Sequence, residues 1–260
     1  MIPSPRRALA IILVLLAGPP SMARAQIVNV QTRFSELVED GVSASFDASA
    51  DWRTGNIDLL VLGGQASVQY GLGAQQLMGS LRGELTLGES IEDGRRTFEH
   101  IRYRYWFANR WSIESFAQHE FDPQRRYRVR LLLGLGPRWV PIHEEPRSLA
   151  LGLALMGERI EISEGLQEDS GQRSSFLRAS SYIIGRISLG DALSLTQSFY
   201  VQPRVMVPRD FRLLAETGLM IPLTEIVALN FAFIAAMQSR PPEDVAPLDT
   251  RLLSQITIRL

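Results

Sequence analysis

The chain has 260 residues, and its 27 basic and 28 acidic side chains give a formal net charge of −1. A near-neutral chain has no overall electrostatic attraction for nucleic acid or for an acidic surface. Cysteine is absent, which excludes a disulfide framework, a thiolate nucleophile and a cysteine zinc site.

The first residues have the order of a secretory signal peptide. Two arginines precede an apolar run over 8–18, and a small-residue A-x-A site ends at Ala25. The apolar run is too short for a stable membrane-spanning helix. We therefore expect residues 1–25 to be a signal peptide, cleaved near Ala25, in a protein exported by a Gram-negative bacterium. Residues 26–40 are the expected N-terminal periplasmic segment, for which the sequence leaves open a tail, a short helix and a lumen plug.

From residue 41 onward, apolar residues recur with a period of two. Between 148 and 158, for example, four leucines alternate with alanine, glycine and methionine, as they do when successive side chains point to opposite faces of a strand. The segments have about ten to thirteen residues, which suits a membrane strand of about 9–11 residues better than a globular strand of about 5–6. Twelve such segments begin near residues 42, 57, 77, 96, 111, 125, 148, 175, 192, 209, 226 and 250. We predict an all-β fold, an antiparallel transmembrane β-barrel of about 12 strands over residues 41–260.

The expected connections favour short periplasmic turns and longer outer loops, as bacterial barrels have. The stretches 108–110, 189–191 and 222–225 are short and fall in inner positions. Two long polar stretches, 163–173 and 238–249, fall in outer positions. The linkers 140–147 and 88–95 fit this scheme less well, and the first is too long for an inner turn.

The segment "HIRYRYWF", residues 100–107, alternates basic with aromatic residues. Because a charge on the lipid side of a barrel strand is costly, we expect its arginines to face the lumen. With tight turns, Arg104 would lie opposite Glu114, and Glu120 opposite Arg128. The residues predicted to line the lumen are His100, Arg102, Arg104, Glu114, Gln118, Glu120, Arg126, Arg128 and Arg130.

Aromatic residues are expected where the strands meet the two membrane interfaces. Such girdles flank the apolar band of known barrels. Three of the predicted girdle residues gather at the periplasmic rim and two flank an outer turn; they are Phe107, Trp111, Trp139, Phe121 and Tyr127.

The segment "EHIRYRYWFANRWSIESFAQHEFDPQRRYRVRLLLGLGPRW", residues 99–139, resembles the centre of the salt-induced outer-membrane proteins that are grouped as domain of unknown function 481. The stretches "QIVNVQ" and "GVSASFDASADWRTGNIDL" are similar to the opening strands of that family. The resemblance implies an outer-membrane β-barrel, associated with salt stress in some members, with no agreed activity and no defined catalytic residues. Its one departure is the last residue, Leu260, where barrels usually have an aromatic residue.

Two functions remain open for such a barrel. A lumen rich in arginine would favour anions, which predicts a narrow anion-preferring pore that passes small ions or solutes. Alternatively, large paired side chains would fill the narrow interior and leave a structural barrel. The expected partners are outer-membrane lipid and the export and barrel-assembly machinery, with no nucleic acid and no cofactor or metal.

Two further alternatives are a lipid-modifying enzyme on the barrel wall and a soluble lipocalin-like binding barrel. The enzyme would need a serine beside one of three histidines, His100, His119 or His143. Ser115 and His119 share a predicted face, but four strand residues separate them by about 13 Å, beyond hydrogen-bond reach. The soluble barrel would need the leucine and aromatic faces to point inward. We therefore expect no enzymatic activity.

Overall fold

The computed structural model describes residues 40–53, 58–88 and 94–259. The expected signal peptide and nearly all of the segment 26–40 lie outside the described residues. Twelve strands account for most of the described chain, and they are β1 (Gly41–Arg53), β2 (Leu59–Leu72), β3 (Gln75–Gly88), β4 (Arg95–Ala108), β5 (Trp111–Asp122), β6 (Tyr127–Glu144), β7 (Arg147–Ile162), β8 (Arg173–Ser188), β9 (Ser194–Arg204), β10 (Val207–Pro222), β11 (Val227–Gln238) and β12 (Leu248–Arg259).

The strands form one closed antiparallel barrel. Each strand pairs with its neighbours in the sequence, and β12 pairs with β1 to close the ring. At this seam Asp47 lies opposite Thr257, whose hydroxyl donates a hydrogen bond to the Asp47 carboxylate. The seam pairs residues 45–48 with 256–259 and closes the sheet on itself, and only closed sheets lie in lipid. The predicted twelve-stranded antiparallel barrel is confirmed.

The two ends of the barrel differ in their connections. At one end, which we call the turn end, two-residue turns at 73–74, 109–110 and 145–146 join the strands. The linker 140–147, expected as a long turn, instead continues β6 to Glu144 and starts β7 at Arg147. The opposite end, the loop end, carries the long connections 163–172 and 239–247, although its turn at 205–206 is as short as those opposite.

The outer face of the barrel is apolar around the ring. Every second side chain of the strands points outward, and the exposed large apolar residues include Leu81, Ile101, Leu133, Leu153, Leu155, Phe233, Leu252 and Ile256. At the turn end Trp111 and Trp139 are directly paired on β5 and β6, and their rings stack with centroids 5.7 Å apart. Such a continuous apolar wall would be an aggregation surface in water and is the normal exterior of a barrel in lipid.

No helix of the described ranges is both long enough and apolar enough to cross a membrane.

A bulge at the start of β6 changes which of its residues face inward. Tyr127 pairs with Ile162, but the next partner of β7 along the register, Glu161, pairs with Val129. Arg128 is therefore an extra residue on the bulged strand, and every side chain after it is shifted to the other face relative to a simple count by two. Arg126, just before the strand, has the left-handed backbone conformation with φ of 61°.

Candidate functional site: the charged interior

A carboxylate on β7 is the hub of the loop-side half of the interior. Glu158 accepts hydrogen bonds from Arg130 Nε at 2.8 Å and from Arg178 Nε at 2.6 Å. A third guanidinium, that of Arg212 on β10, also contacts Glu158. All four side chains are at most 5 % exposed. A buried carboxylate surrounded by three arginines has its acceptor sites occupied by charge-assisted hydrogen bonds, which offset the loss of water.

From this hub, ion pairs continue along the inner wall toward β3. Arg130 Nη1 lies 2.6 Å from Glu120 Oε2, and Glu120 Oε1 lies 2.9 Å from Arg125 Nη1. Asp122, two residues after Glu120, is 2.8 Å from Arg96 Nη2. These contacts join β4, β5 and β6 into one network, which we call the loop-side network together with the hub.

The same network reaches β3 and β12 through a second acidic hub. Arg96 Nη1 lies 3.0 Å from Glu84 Oε1, and Arg82 and Arg251 also contact that carboxylate. On the other side of Glu158, Arg178 Nη2 lies 2.9 Å from Asp210 Oδ1 on β10. Charged side chains therefore line most of the circumference in this half of the barrel.

A separate group, the Glu114 cluster, occupies the turn-side half. Glu114 receives Arg102 Nη1 at 2.7 Å and Arg104 Nη2 at 2.7 Å, and Arg138 Nε lies 3.9 Å away. The Tyr182 hydroxyl donates to Glu114 Oε2 at 2.6 Å and accepts from Arg138 Nη1 at 2.8 Å. Three guanidinium groups and one carboxylate give these four charged residues a formal excess of two positive charges.

Some contacts cross the lumen from wall to wall. The Tyr127 hydroxyl on β6 donates to Gln238 Oε1 on β11 at 3.0 Å, and Arg212 Nη2 lies 3.4 Å from the same hydroxyl. In a ring of twelve strands, β6 and β11 are five places apart and lie on nearly opposite walls.

Apolar side chains pack among these polar groups. Apolar residues of β8 to β12 pack together on one inner wall; they are Tyr182, Ile184, Tyr200, Leu214, Ile234, Ala236 and Leu253. Two interior cavities have volumes of about 30 Å³ each, one beside His100 and Glu114 and one beside Glu84 and Arg96. A cavity of that size holds little more than a water molecule.

Most of the residues predicted to line the lumen lie inside the barrel and are buried. They are His100, Arg102, Arg104, Glu114, Gln118, Glu120 and Arg130. Arg104 lies directly opposite Glu114, as the sequence led us to expect. The partner of Glu120 across the strands is Arg130 and not Arg128.

Three predicted positions are placed differently because of the β6 bulge and the turn before it. Arg128 is outside the barrel, with 56 % of its side chain exposed, and Arg126 is at the loop end rather than in the lumen. Tyr127, expected in an aromatic girdle, is 1 % exposed in the interior. Of the other expected girdle residues, Phe107, Trp111 and Trp139 are exposed at the turn end, and Phe121 is half-buried near the loop end.

Sequence reasoning missed several charged residues of the interior. Arg138 could have been found, since a count by two from Arg130 along β6 reaches it. Arg125 and Asp122 had no such signal, because they belong to a single 3-10 turn in which the Asp122 carboxylate caps the backbone N–H of Arg125. Strand periodicity does not extend into such a turn.

At the loop end, hydrogen bonds join three of the connections next to the loop-side network. Arg126 Nη1 lies 2.5 Å from Asp169 Oδ1 and donates to the backbone oxygen of Glu243 at 3.1 Å. The Glu243 N–H donates to Asp169 Oδ2 at 3.0 Å. Desolvation opposes ionisation of Asp169, but the Glu243 N–H and the Arg126 guanidinium hold the pKa of its carboxyl below the ordinary value. These contacts, which we call the loop clasp, join the connections 123–126, 163–172 and 239–247.

One of the three histidines considered for catalysis, His119, lies on the outer wall. His119 Nδ1 is 2.5 Å from Glu99 Oε2, and the two residues are direct partners on β5 and β4. Both side chains are about two-fifths exposed, at 39 % and 41 %. Within the described part of the chain, the contacts of His119 include this carboxylate and no serine, so His119 has no nucleophile beside it for a hydrolase dyad. His100 and His143 lie directly opposite Ser80 and Ser148 across the strands.

The closed sheet, the apolar exterior and the charged interior define a closed β-barrel with the exterior of a membrane barrel. The model of a family described as "Protein of unknown function, DUF481" matches residues 46–258. The chain belongs to this family, which confirms the resemblance to domain of unknown function 481, whereas the link to salt stress stays a prediction.

Several solved structures align with the chain at low sequence identity. The NanC porin aligns with a TM-score of 0.50 and 9 % identity over 84 % of this chain and 98 % of its own. A KdgM porin, in complex with disordered oligogalacturonate, aligns with a TM-score of 0.46 and 7 % identity over 84 % of this chain and 97 % of its own. An outer membrane channel from Pseudomonas putida F1 aligns with a TM-score of 0.45 and 11 % identity over 93 % of this chain and 98 % of its own. The NanC likeness shows the fold alone. No curated protein matches the chain in sequence.

Proposed function

We propose that the protein is an outer-membrane β-barrel whose filled interior makes it a structural barrel, closed to ions in its resting state. The observation that carries this proposal is the contact between Tyr127 and Gln238, which spans the lumen from nearly opposite walls. Around it the side chains of the loop-side network are at most 18 % exposed. Paired charges together with large side chains occupy the space that a channel would need.

Ion conductance in a planar lipid bilayer tests this proposal. We expect folded wild-type protein to give no discrete conductance steps. A variant with Tyr127→Ala and Gln238→Ala removes the contact across the lumen and should give measurable steps. The matched control is Tyr105→Ala, because Tyr105 points outward and is 43 % exposed. Reproducible steps from the wild type would contradict the closed barrel.

The second candidate is the narrow anion-preferring pore. It is supported by the Glu114 cluster, where three arginines surround a single carboxylate. Rings of arginine favour anions in pores. If the protein conducts, replacing Arg102 and Arg104 by glutamine should move the reversal potential in a salt gradient toward cation preference. Arg128→Gln, outside the barrel, is the matched control and should leave the reversal potential unchanged. An unchanged potential in the double variant would remove this candidate.

The placement in the outer membrane has its own tests. The apolar exterior supports it over the soluble lipocalin-like alternative, and a folded membrane barrel should migrate faster on an SDS gel before boiling than after.

Export with cleavage near Ala25 predicts a mature protein that begins at Gln26, which N-terminal sequencing checks. The family resemblance also suggests a link to salt or envelope stress, for which protein abundance should rise when the bacterium grows in added salt. An unchanged abundance would remove the stress role and leave the barrel proposal intact.

A further inference from the structure

Three arginines and one glutamate lie together on the outer wall at the loop end. Arg128 Nη1 is 3.3 Å from Glu161 Oε1, and Arg173 Nε is 3.0 Å from Glu161 Oε2. Arg159 lies two residues before Glu161 on the same outward face of β7, about 7 Å along the strand. The side chains of Arg128 and Arg173 are 56 % and 64 % exposed, whereas the arginines around Glu158 inside the barrel are buried. We call these four residues the outer arginine patch.

The patch lies at the edge of the apolar wall. Leu131 is the direct partner of Arg159 across β6 and β7, and it is itself 43 % exposed. Toward the turn end the same wall continues with Leu133 and Leu155, both more than half exposed. A charged side chain on the lipid face of a barrel is costly at the bilayer midplane and nearly free of cost at the interface. The patch therefore marks the level at which this wall meets the lipid headgroups.

The charge of the patch is not balanced. Glu161 serves both Arg128 and Arg173, so the four residues keep a formal excess of two positive charges. Within the described ranges, Arg159 has no carboxylate partner. Guanidinium groups bind phosphate through paired hydrogen bonds, and several of them at one point form a site for a strongly anionic group.

We propose that the outer arginine patch binds the phosphate groups of lipids in the leaflet that faces the loop end. This proposal rests on the outer-membrane placement proposed above. The leucines below the patch select a lipid over free phosphate, because acyl chains would cover them while the phosphates contact Arg128, Arg159 and Arg173. The loop-side network inside the barrel takes no part in this binding.

The experiment uses the full folded protein in detergent micelles and measures bound lipid by native mass spectrometry. The probes are diphosphoryl lipid A, the same lipid without its phosphates, and inorganic phosphate. A triple variant, Arg128→Gln, Arg159→Gln and Arg173→Gln, removes the patch. A charge-preserving variant replaces the same three residues by lysine. The matched control is Arg110→Gln with Arg147→Gln, two exposed arginines at the turn end.

We expect wild-type protein to bind diphosphoryl lipid A at least ten-fold more tightly than the triple glutamine variant does. The lysine variant should fall between them, since it keeps the charge but loses the paired hydrogen bonds. The turn-end control should match the wild type, and the lipid without phosphates should bind as weakly to the wild type as to the variant.

Equal binding by the wild type and the triple glutamine variant would overturn the proposal, and so would equal binding of the lipids with and without phosphate. Wild-type binding of inorganic phosphate as tight as that of lipid A would overturn the choice of a lipid. A failure of the outer-membrane placement is separately visible, because the protein would then not insert into vesicles or show heat-dependent mobility on a gel.

Discussion

Glu158 and Glu161 lie three residues apart on β7, and each contacts more than one arginine. Glu158 points into the barrel and is completely buried among Arg130, Arg178 and Arg212. Glu161 points outward and contacts Arg128 and Arg173, whose side chains are more than half exposed. The chemistry of the two groups is the same, and the surroundings differ.

The difference in surroundings decides what each ion pair contributes. Exposed pairs are weak, about 0–1 kcal/mol, because water and salt screen them and the long side chains lose freedom. Buried pairs interact strongly, but most of that gain offsets the loss of hydration. We therefore expect the inner network to fix a single arrangement of the interior more than it adds net stability, and we expect breaking it to be costly. The outer patch keeps its arginines available to a ligand.

Removing the charge of Glu158 should have the largest effect. Glu158→Gln leaves three buried guanidinium groups around a neutral amide, and such a loss costs about 3–5 kcal/mol. We expect the urea midpoint of the folded protein in lipid vesicles to fall accordingly. Glu161→Gln, three residues away, should change the free energy of unfolding by less than about 1 kcal/mol.

Equal effects of these two substitutions would contradict the contrast between the inner and outer arginines. If both Glu158→Gln and Glu161→Gln kept the stability of the wild type, water would have to reach Glu158 and solvate the three arginines around it.

Two glycines sharpen the same contrast without changing any charge. Gly136 of β6 faces inward, and an added Cβ there would overlap the backbone carbonyl of Leu153 on β7. Gly157 of β7 faces outward, and its nearest neighbour would be 3.9 Å away. Gly136→Ala should therefore cost about 1–3 kcal/mol through overpacking, whereas Gly157→Ala should be close to neutral. Chemical denaturation of both variants checks this, and a neutral Gly136→Ala would show that the strands can move apart at this point.

Regular alternation made the barrel predictable from the sequence. In β4 the count by two placed His100, Arg102 and Arg104 correctly inside, because no bulge interrupts β4 between Arg95 and Trp106. The pairing of Arg104 with Glu114 followed from the tight turn at 109–110. Local patterns thus determined both the face and the register wherever the strands and turns were regular.

Where the backbone is irregular, alternation along the sequence did not predict which side chains face the lumen. A single extra residue at Arg128 moved Tyr127 from the expected exterior to the lumen, where its hydroxyl reaches Gln238 on the far wall. No alternation rule signals a bulge, since the hydrogen bonds that define it depend on the partner strand. Contacts across the lumen join residues such as Tyr127 and Gln238 that are far apart in sequence, and only the closed ring brings them together.

The smallest expected effect concerns the loop clasp, where an ion pair is neither fully inside nor fully outside. Asp169 accepts from Arg126 and from the Glu243 N–H, and its pKa is held below the ordinary value. Because the folded pKa is lower than the unfolded one, the clasp stabilises the loops above the unfolded pKa. Its contribution is lost as the pH falls through the folded pKa.

We therefore expect amide hydrogen exchange in residues 163–172 and 239–247 to become a few-fold faster at low pH, relative to the intrinsic rates. Glu168, Glu243 and Asp244 are further carboxyl groups in these loops, so Asp169→Asn isolates the clasp: its loops should already exchange faster at neutral pH and respond less to acid. An identical pH response in the wild type and in Asp169→Asn would show that Asp169 does not fasten the loops. The contact of Arg126 with the backbone oxygen of Glu243 would then be the one that joins the loops.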